Sequence, residues 1–273
     1  MQTTDTDVFA IRLTEQELAY VLDILRGRVQ STHETQAASG PGLVEEPQEA
    51  RNALEARRFL EIRDGSVVLD ETVAAMVSMT IKAGTQFSIT HFQSGESNPR
   101  QLDLFAGHGL VVEQTRHVGS ASAIELAALA SCPALIPRIL SFLQIAGRKV
   151  IGGSRCRLVE QEWTELPYLL ADGDVKAGID FLLQRNVDKK TATRLATALA
   201  HPQRLSHMQH FDRRQSGTRT ISHLTVIEDV YGYWLVHPIA TGGHRFVKAQ
   251  AVDAEAVREA LIGQICRHFR KTA

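Results

Sequence analysis

Hydrophobic and polar positions over residues 13–25 follow the pattern of a short amphipathic helix. Thr14 and Glu17 stand at the spacing of a capping box, which places the start of that helix. A second helix is predicted over residues 48–62. A third begins at Asp70, an N-cap, because Val73, Met76, Val77, Thr80 and Ile81 recur at helical spacing. The period then changes to two. Residues 85–92, 101–106 and 110–115 alternate as strands do, with Gly107-His108-Gly109 as the turn between the last two. Ser122 and Glu125 offer another capping box, predicting a closing helix that Pro133 and Pro137 divide into two pieces.

The same order returns further along the chain. Glu15-Gln16-Glu17, flanked by Leu13 and Leu25, is echoed by Glu160-Gln161-Glu162, flanked by Leu158 and Leu170. A helix over 175–185 follows, then one from Asp188, where Thr191, Leu195, Ala198 and Leu199 repeat the offsets seen after Asp70. Strands are predicted over 204–211, 220–227, 233–237 and 245–249, with the turn at 228–232. A final helix is capped by Asp253 and carries Val257, Ala260, Leu261, Gln264, Ile265 and Phe269 on its apolar side. A fixed order that recurs is the mark of an internal duplication. The expected fold is α+β: two units related by a pseudo-two-fold axis, each with antiparallel strands and packed helices. The units are placed at residues 1–148 and 149–273. Residues 27–47, polar and small without an apolar period, are expected to be a mobile loop in the first.

Composition narrows the class. The chain has 273 residues, 44% hydrophobic and 22% charged, which suits a globular protein with a sizeable core. No stretch approaches a membrane span, and residues 1–8 show no secretory signal pattern. Three widely spaced cysteines, Cys132, Cys156 and Cys266, form no disulfide framework and fit a reducing, cytoplasmic compartment. The net charge of −1 hides an asymmetry. Through residue 145 there are 11 Lys and Arg against 18 Asp and Glu, and the remainder holds 19 against 13. Such a split marks either a surface for nucleic acid or an acidic partner, or an attraction between the halves.

Catalytic and cofactor signals are weak. His201, His207, His210, His223, His237 and His244 crowd one half, yet His207 and His210 lie three apart on a strand and so point to opposite faces. No Cys or Glu completes a zinc frame. Nucleophile elbows and phosphate-binding loops have no match in the sequence. No enzyme activity, metal or cofactor is therefore expected. Arg213, Arg214 and Arg219 in one loop, with Arg245 and Lys248 nearby, could meet phosphates. Residues 61–68 have the flavour of a winged-helix wing, but the helix before them is mixed in charge. Nucleic-acid binding or regulation through the basic second half is accordingly the alternative function, and the charge pattern disfavours it.

Several segments together resemble the EspG-like proteins of type VII secretion systems. They are the opening Leu13-Thr14-x-x-Glu17-Leu18 helix and the helix 53–60 running into Asp64-Gly65. Asp229-x-x-Gly232-Tyr233-Trp234-Leu235-Val236 is similar to that family's Asp-x-x-Gly hairpin, although Tyr233 stands where Arg is usual. The resemblance implies a cytosolic, cofactor-free chaperone or adaptor that holds a secretion substrate and works without catalysis. A protein partner is then expected at hairpin loops, gripped as a helix tip. The two equivalent loops are residues 93–100, with Ser94, Glu96, Asn98 and Arg100, and residues 212–218, with Arg213 and Arg214. The resemblance points to the first of these as the partner loop.

Overall fold

The computed structural model describes residues 9–27, 48–107, 110–117, 123–129, 132–147, 153–171, 173–213 and 218–269. Residues 28–47 of the predicted 27–47 loop, His108 and Gly109 of the predicted turn, Ser122 and Arg214 lie outside these residues. The fold is α+β with antiparallel strands. Its packing forms two compact units, Met1–Gly84 with Asp103–Ser131, and Thr85–Leu102 with Cys132–Ala273.

In the first unit β1 (Ala10–Thr14) leads directly into α1 (Glu15–Leu25). The capping box forms as its sequence requires: Glu17 N–H donates to Thr14 Oγ1 at 3.1 Å, and Thr14 N–H donates to Glu17 Oε2 at 2.7 Å. Next come α2 (Gln48–Ala56), the hairpin β2 (Leu60–Arg63) and β3 (Ser66–Leu69), and α3 (Glu71–Lys82). Helix α2 is shorter than predicted, because Arg58 turns the chain at φ 59° and the arm of the hairpin begins at Leu60. Asp64 and Gly65, at φ 50° and 77°, supply the left-handed pair that a tight two-residue hairpin needs. The predicted wing is therefore a hairpin. Asp70 caps α3 by accepting from the N–H groups of Thr72 and Val73.

The chain crosses from one unit to the other within β5 (Arg100–Gly107), and β6 (Leu110–His117) and β7 (Ala123–Leu129) complete the first. Strands lie in the order β1, β7, β6, β5. The helix predicted from Ser122 and Glu125 is instead β7. Alanine-rich composition favours a helix locally, but Ala123–Leu129 pairs with β1 on one side and β6 on the other. Pairing on both sides overrides propensity. Leu13, Val21, Leu54, Val77, Val112 and Leu126 are fully buried at the centre of this unit.

The second unit holds β4 (Thr85–Gln93) and α4 (Cys132–Phe142). Helix α4 continues through Pro137, contrary to expectation; the ring sits on an exposed face, and one backbone hydrogen bond is lost rather than the helix. Then follow β8 (Arg155–Val159), α5 (Glu160–Leu170), α6 (Val175–Leu183), α7 (Lys189–Ala200), β9 (Arg204–Asp212), β10 (Arg219–Asp229), β11 (Gly232–Thr241), β12 (His244–Val252) and α8 (Ala254–Phe269). The strands run in the order β4, β9, β10, β11, β12, β8, each antiparallel to its neighbour. Helices α5, α6 and α7 cover one face through Leu166, Leu182, Leu195 and Ala196, packed on Ile227, Trp234, Val236 and Ala249.

Apart from the β2–β3 hairpin, which has no counterpart between α6 and α7, element order and length recur along the chain. β1 and β8 have five residues, α1 and α5 eleven, α2 and α6 nine, α3 and α7 twelve, and four strands and a helix then follow in each run. Glu162 repeats one half of the Glu17 box by accepting from Val159 N–H at 3.0 Å. Each of these glutamates also meets an arginine from the following helix end: Arg57 at 3.1 Å from Glu17 and Arg185 at 3.0 Å from Glu162.

Candidate functional site

Strands β4 and β9 place the two loops singled out from the sequence. Nine residue pairs join them, from Thr85 opposite Asp212 to Gln93 opposite Arg204. Loop 94–99 leaves one end of this ladder and loop 213–218 leaves the other. At roughly 3.4 Å per residue the loop bases are separated by about 27 Å. The structure therefore does not bring Ser94, Glu96, Asn98 and Arg100 together with Arg213, and Arg214 lies outside the described residues.

Loop 94–99 is seated by backbone bonds. Ser94 N–H donates to Gln203 O, and Glu96 N–H to Gln93 O, both at 3.0 Å. Gly95, at φ 87°, makes the left-handed step between them. Ser94, Glu96 and Asn98 are exposed. Arg100 differs from them. It is half-buried at the start of β5, with its guanidinium carbon 4.9 Å from the centroid of the Phe142 ring. Beside the loop, Phe92 exposes 41% of its surface, with the His207 ring set edge-on at 6.3 Å. An exposed aromatic next to a polar loop was not singled out in the sequence, since a phenylalanine in a strand reads there as core.

Beneath the loop lies a buried polar cluster. His91 Nδ1 is 2.8 Å from Ser206 Oγ, and both residues are buried. Burial holds His91 well below the ordinary imidazole range, at about 4, and the nearby positive charges of Arg100 and Arg204 lower it further. Arg204 Nη1 reaches the buried Glu228 carboxylate at 2.8 Å. His91 is thus a neutral hydrogen-bonding group within the β4–β9 ladder.

The remaining histidines behave separately. His210 stacks on Phe87, the residue opposite it in the ladder, at 4.6 Å between ring centroids. His207, three residues earlier, is exposed, as the strand period requires. Partial loss of hydration lowers the pKa of the His207, His223 and His237 rings, although His207 remains at the surface. Among the described residues no three His, Cys, Asp or Glu side chains are grouped to hold a metal ion. No helix of the described residues is long and apolar enough to cross a membrane. Arg245 pairs with Glu160 at 3.7 Å.

The Asp229-x-x-Gly232 segment gains a physical role. Asp229 closes β10, Val230 and Tyr231 form the turn, and Gly232 opens β11 at φ 138°. The Asp229 carboxylate accepts from Tyr231 N–H at 2.7 Å and from Trp234 Nε1 at 3.0 Å, so it holds the turn and the buried indole together.

No protein-family model matches the sequence, and no curated protein does. Structural comparison finds similarity to the Mycobacterium tuberculosis type VII secretion system chaperone EspG5, solved in complex with a PE25-PPE41 dimer. The TM-score is 0.65 at 12% sequence identity, over 92% of this chain and 93% of that one. At that identity the likeness is one of backbone architecture, and the chain has an EspG-like fold.

Proposed function

We propose that this protein is a non-enzymatic, cytosolic chaperone or adaptor that binds another protein. The observation that carries the reading is the likeness to EspG5 over nearly the full length of both chains. That neighbour was solved with a protein dimer bound, so the architecture is one that can present a surface to a protein. A secretion substrate is the proposed partner, and no cofactor takes part.

The proposed grip is the hairpin loop with Ser94, Glu96 and Asn98, together with the exposed Phe92 ring beside it. Arg100 supports the loop from below through Phe142. An aromatic anchor with polar neighbours fits the general composition of protein-binding hot spots. Arg213, at the far end of the β4–β9 ladder, is proposed as a second and separate contact; Arg214, named with it from the sequence, lies outside the described residues. Affinity capture of the tagged full-length chain from its native host, followed by mass spectrometry, tests the reading. A protein retained in stoichiometric amount is the expected result; recovery of nucleic acid in place of protein overturns it.

A further inference from the structure

Strand β8 ends its ladder: it pairs with β12 on one side and with no strand among the described residues on the other. Two contacts fix the phase of its hydrogen bonding. Ala251 N–H donates to Ser154 O at 2.8 Å, so residue 154 bonds across to β12. Val159 N–H turns away and donates to Glu162 Oε2. Antiparallel pairs alternate residue by residue between bonded and non-bonded positions. Cys156 and Leu158 therefore share the role of Ser154, and Arg155 and Arg157 direct their backbone N–H and C=O groups to the open edge.

The side chains follow the same alternation. Cys156 and Leu158 enter the core, while Arg155 and Arg157 stay outside. Lys248 stands directly opposite Arg157. Facing residues at a non-bonded position are about 4.5 Å apart at Cα, and like charges placed so repel. Phe246 holds Arg157, its ring centroid 3.7 Å from the guanidinium carbon, without neutralising it. Arg155, Arg157 and Lys248 make no ion pair among the described residues. These three cations line a cavity of about 600 Å³ together with Arg185, Asn186 and Asp188. The acid there is committed, since Asp188 caps α7 by accepting from Thr191 N–H at 3.0 Å.

We infer that the β8 edge is a docking site for an extended acidic segment of a protein partner, added as a further strand with carboxylates two residues apart facing Arg155 and Arg157. Backbone pairing supplies affinity in such additions, and alternate side chains supply selectivity. The added carboxylates also relieve the repulsion between Arg157 and Lys248. A phosphate or a nucleic-acid strand would meet the charges but leave the open backbone groups of residues 155 and 157 unused. The inference rests on the reading of this protein as a protein binder and names a partner segment that the hairpin loop does not account for.

The test uses the full chain and a fluorescein-labelled hexapeptide, Val-Glu-Val-Glu-Val-Thr, followed by anisotropy. Controls are the same peptide with Lys for Glu, the peptide methylated on its backbone nitrogens, and inorganic polyphosphate as competitor. The Glu peptide should bind, the Lys and methylated peptides should not, and Arg155→Ser/Arg157→Ser should weaken binding about tenfold. The unfolding midpoint of that variant confirms its fold, and Lys248→Ser provides a second variant with the same expected direction. No binding of the Glu peptide, equal binding by the variants, or equal binding of the methylated peptide overturns the proposal. So does a site that polyphosphate fills while the methylated peptide still binds. Failure here with a client still captured from the host sinks this inference alone; failure of all protein capture sinks the reading beneath it.

Discussion

Arg194 of α7 and Asp229 at the end of β10 form a two-pronged ion pair, Nε to Oδ2 at 2.8 Å and Nη2 to Oδ1 at 3.2 Å. Both side chains are more than nine-tenths buried. With Tyr231 N–H and Trp234 Nε1 the same carboxylate receives four donors. One acidic side chain thus ties a helix, a turn and a buried indole.

Removing one member strands the other in the interior, where an uncompensated charge is costly. Arg194→Met should destabilise the protein by about 3 kcal/mol or more. Urea unfolding followed by Trp fluorescence measures this, since Trp234 reports the site. A loss below about 1 kcal/mol would show that the pair adds little.

His91 predicts a pH dependence with a definite sign. Its pKa falls from 6.5 to about 4 on folding, first through burial, then through Arg100 and Arg204. Between those values the unfolded chain binds the proton and the folded one resists it. The stability His91 contributes is therefore complete above pH 6.5 and is lost as pH falls toward 4. Unfolding free energy measured across this window should rise with pH, and His91→Gln should flatten the rise.

Arg100 separates from its loop neighbours. Ser94→Ala/Glu96→Ala/Asn98→Ala should change stability by no more than about 0.5 kcal/mol, because these side chains are exposed. Arg100→Ala should cost about 1 kcal/mol through its contact with Phe142. It should also raise the His91 pKa by removing a nearby positive charge. Imidazole chemical shifts against pH read the second effect, and an unmoved His91 would contradict it.

Burial pushes the Cys156 thiol up to about 11, and the Asp188 charge adds to the rise while a bond to the Ala249 backbone opposes it. The thiolate is the reactive form. Iodoacetamide at pH 8 should leave Cys156 unmodified in the native protein and label it after unfolding in urea. Peptide mapping by mass spectrometry reads the outcome, and rapid native labelling would contradict the burial.

Helices with polar caps were legible in the sequence. Asp70, Asp188 and Asp253 each cap the helix predicted for them, accepting from Thr72 and Val73, from Thr191 and from Ala256. Strands set by distant partners were harder to read. β1 and β8 are five residues long and run straight into helices, so their alternation merges with the helical pattern that follows. Residues 123–129 read as helix because alanine and glutamate favour it, and only the flanking strands β1 and β6 reverse that preference. The loop with Glu96 and Asn98 was visible as a polar turn. Its separation from Arg213 was not, because the β4–β9 register joins segments more than a hundred residues apart. The Arg194–Asp229 pair was hidden because it joins a helix to the end of a strand 35 residues further on, a packing contact that no local pattern encodes. The recurrence of element lengths supports internal duplication with copies at 1–148 and 149–273 as a proposal, while compact packing divides the chain at Gly84, Leu102 and Ser131.

The central proposal is that this protein binds a protein partner and acts as its chaperone. Light scattering of the captured partner, purified and warmed alone or with an equimolar amount of the full chain, tests it most directly. Suppressed scattering with the wild-type chain, weakened by the Ser94→Ala/Glu96→Ala/Asn98→Ala variant, is the predicted result. Scattering that is the same with and without the wild-type chain would contradict the account.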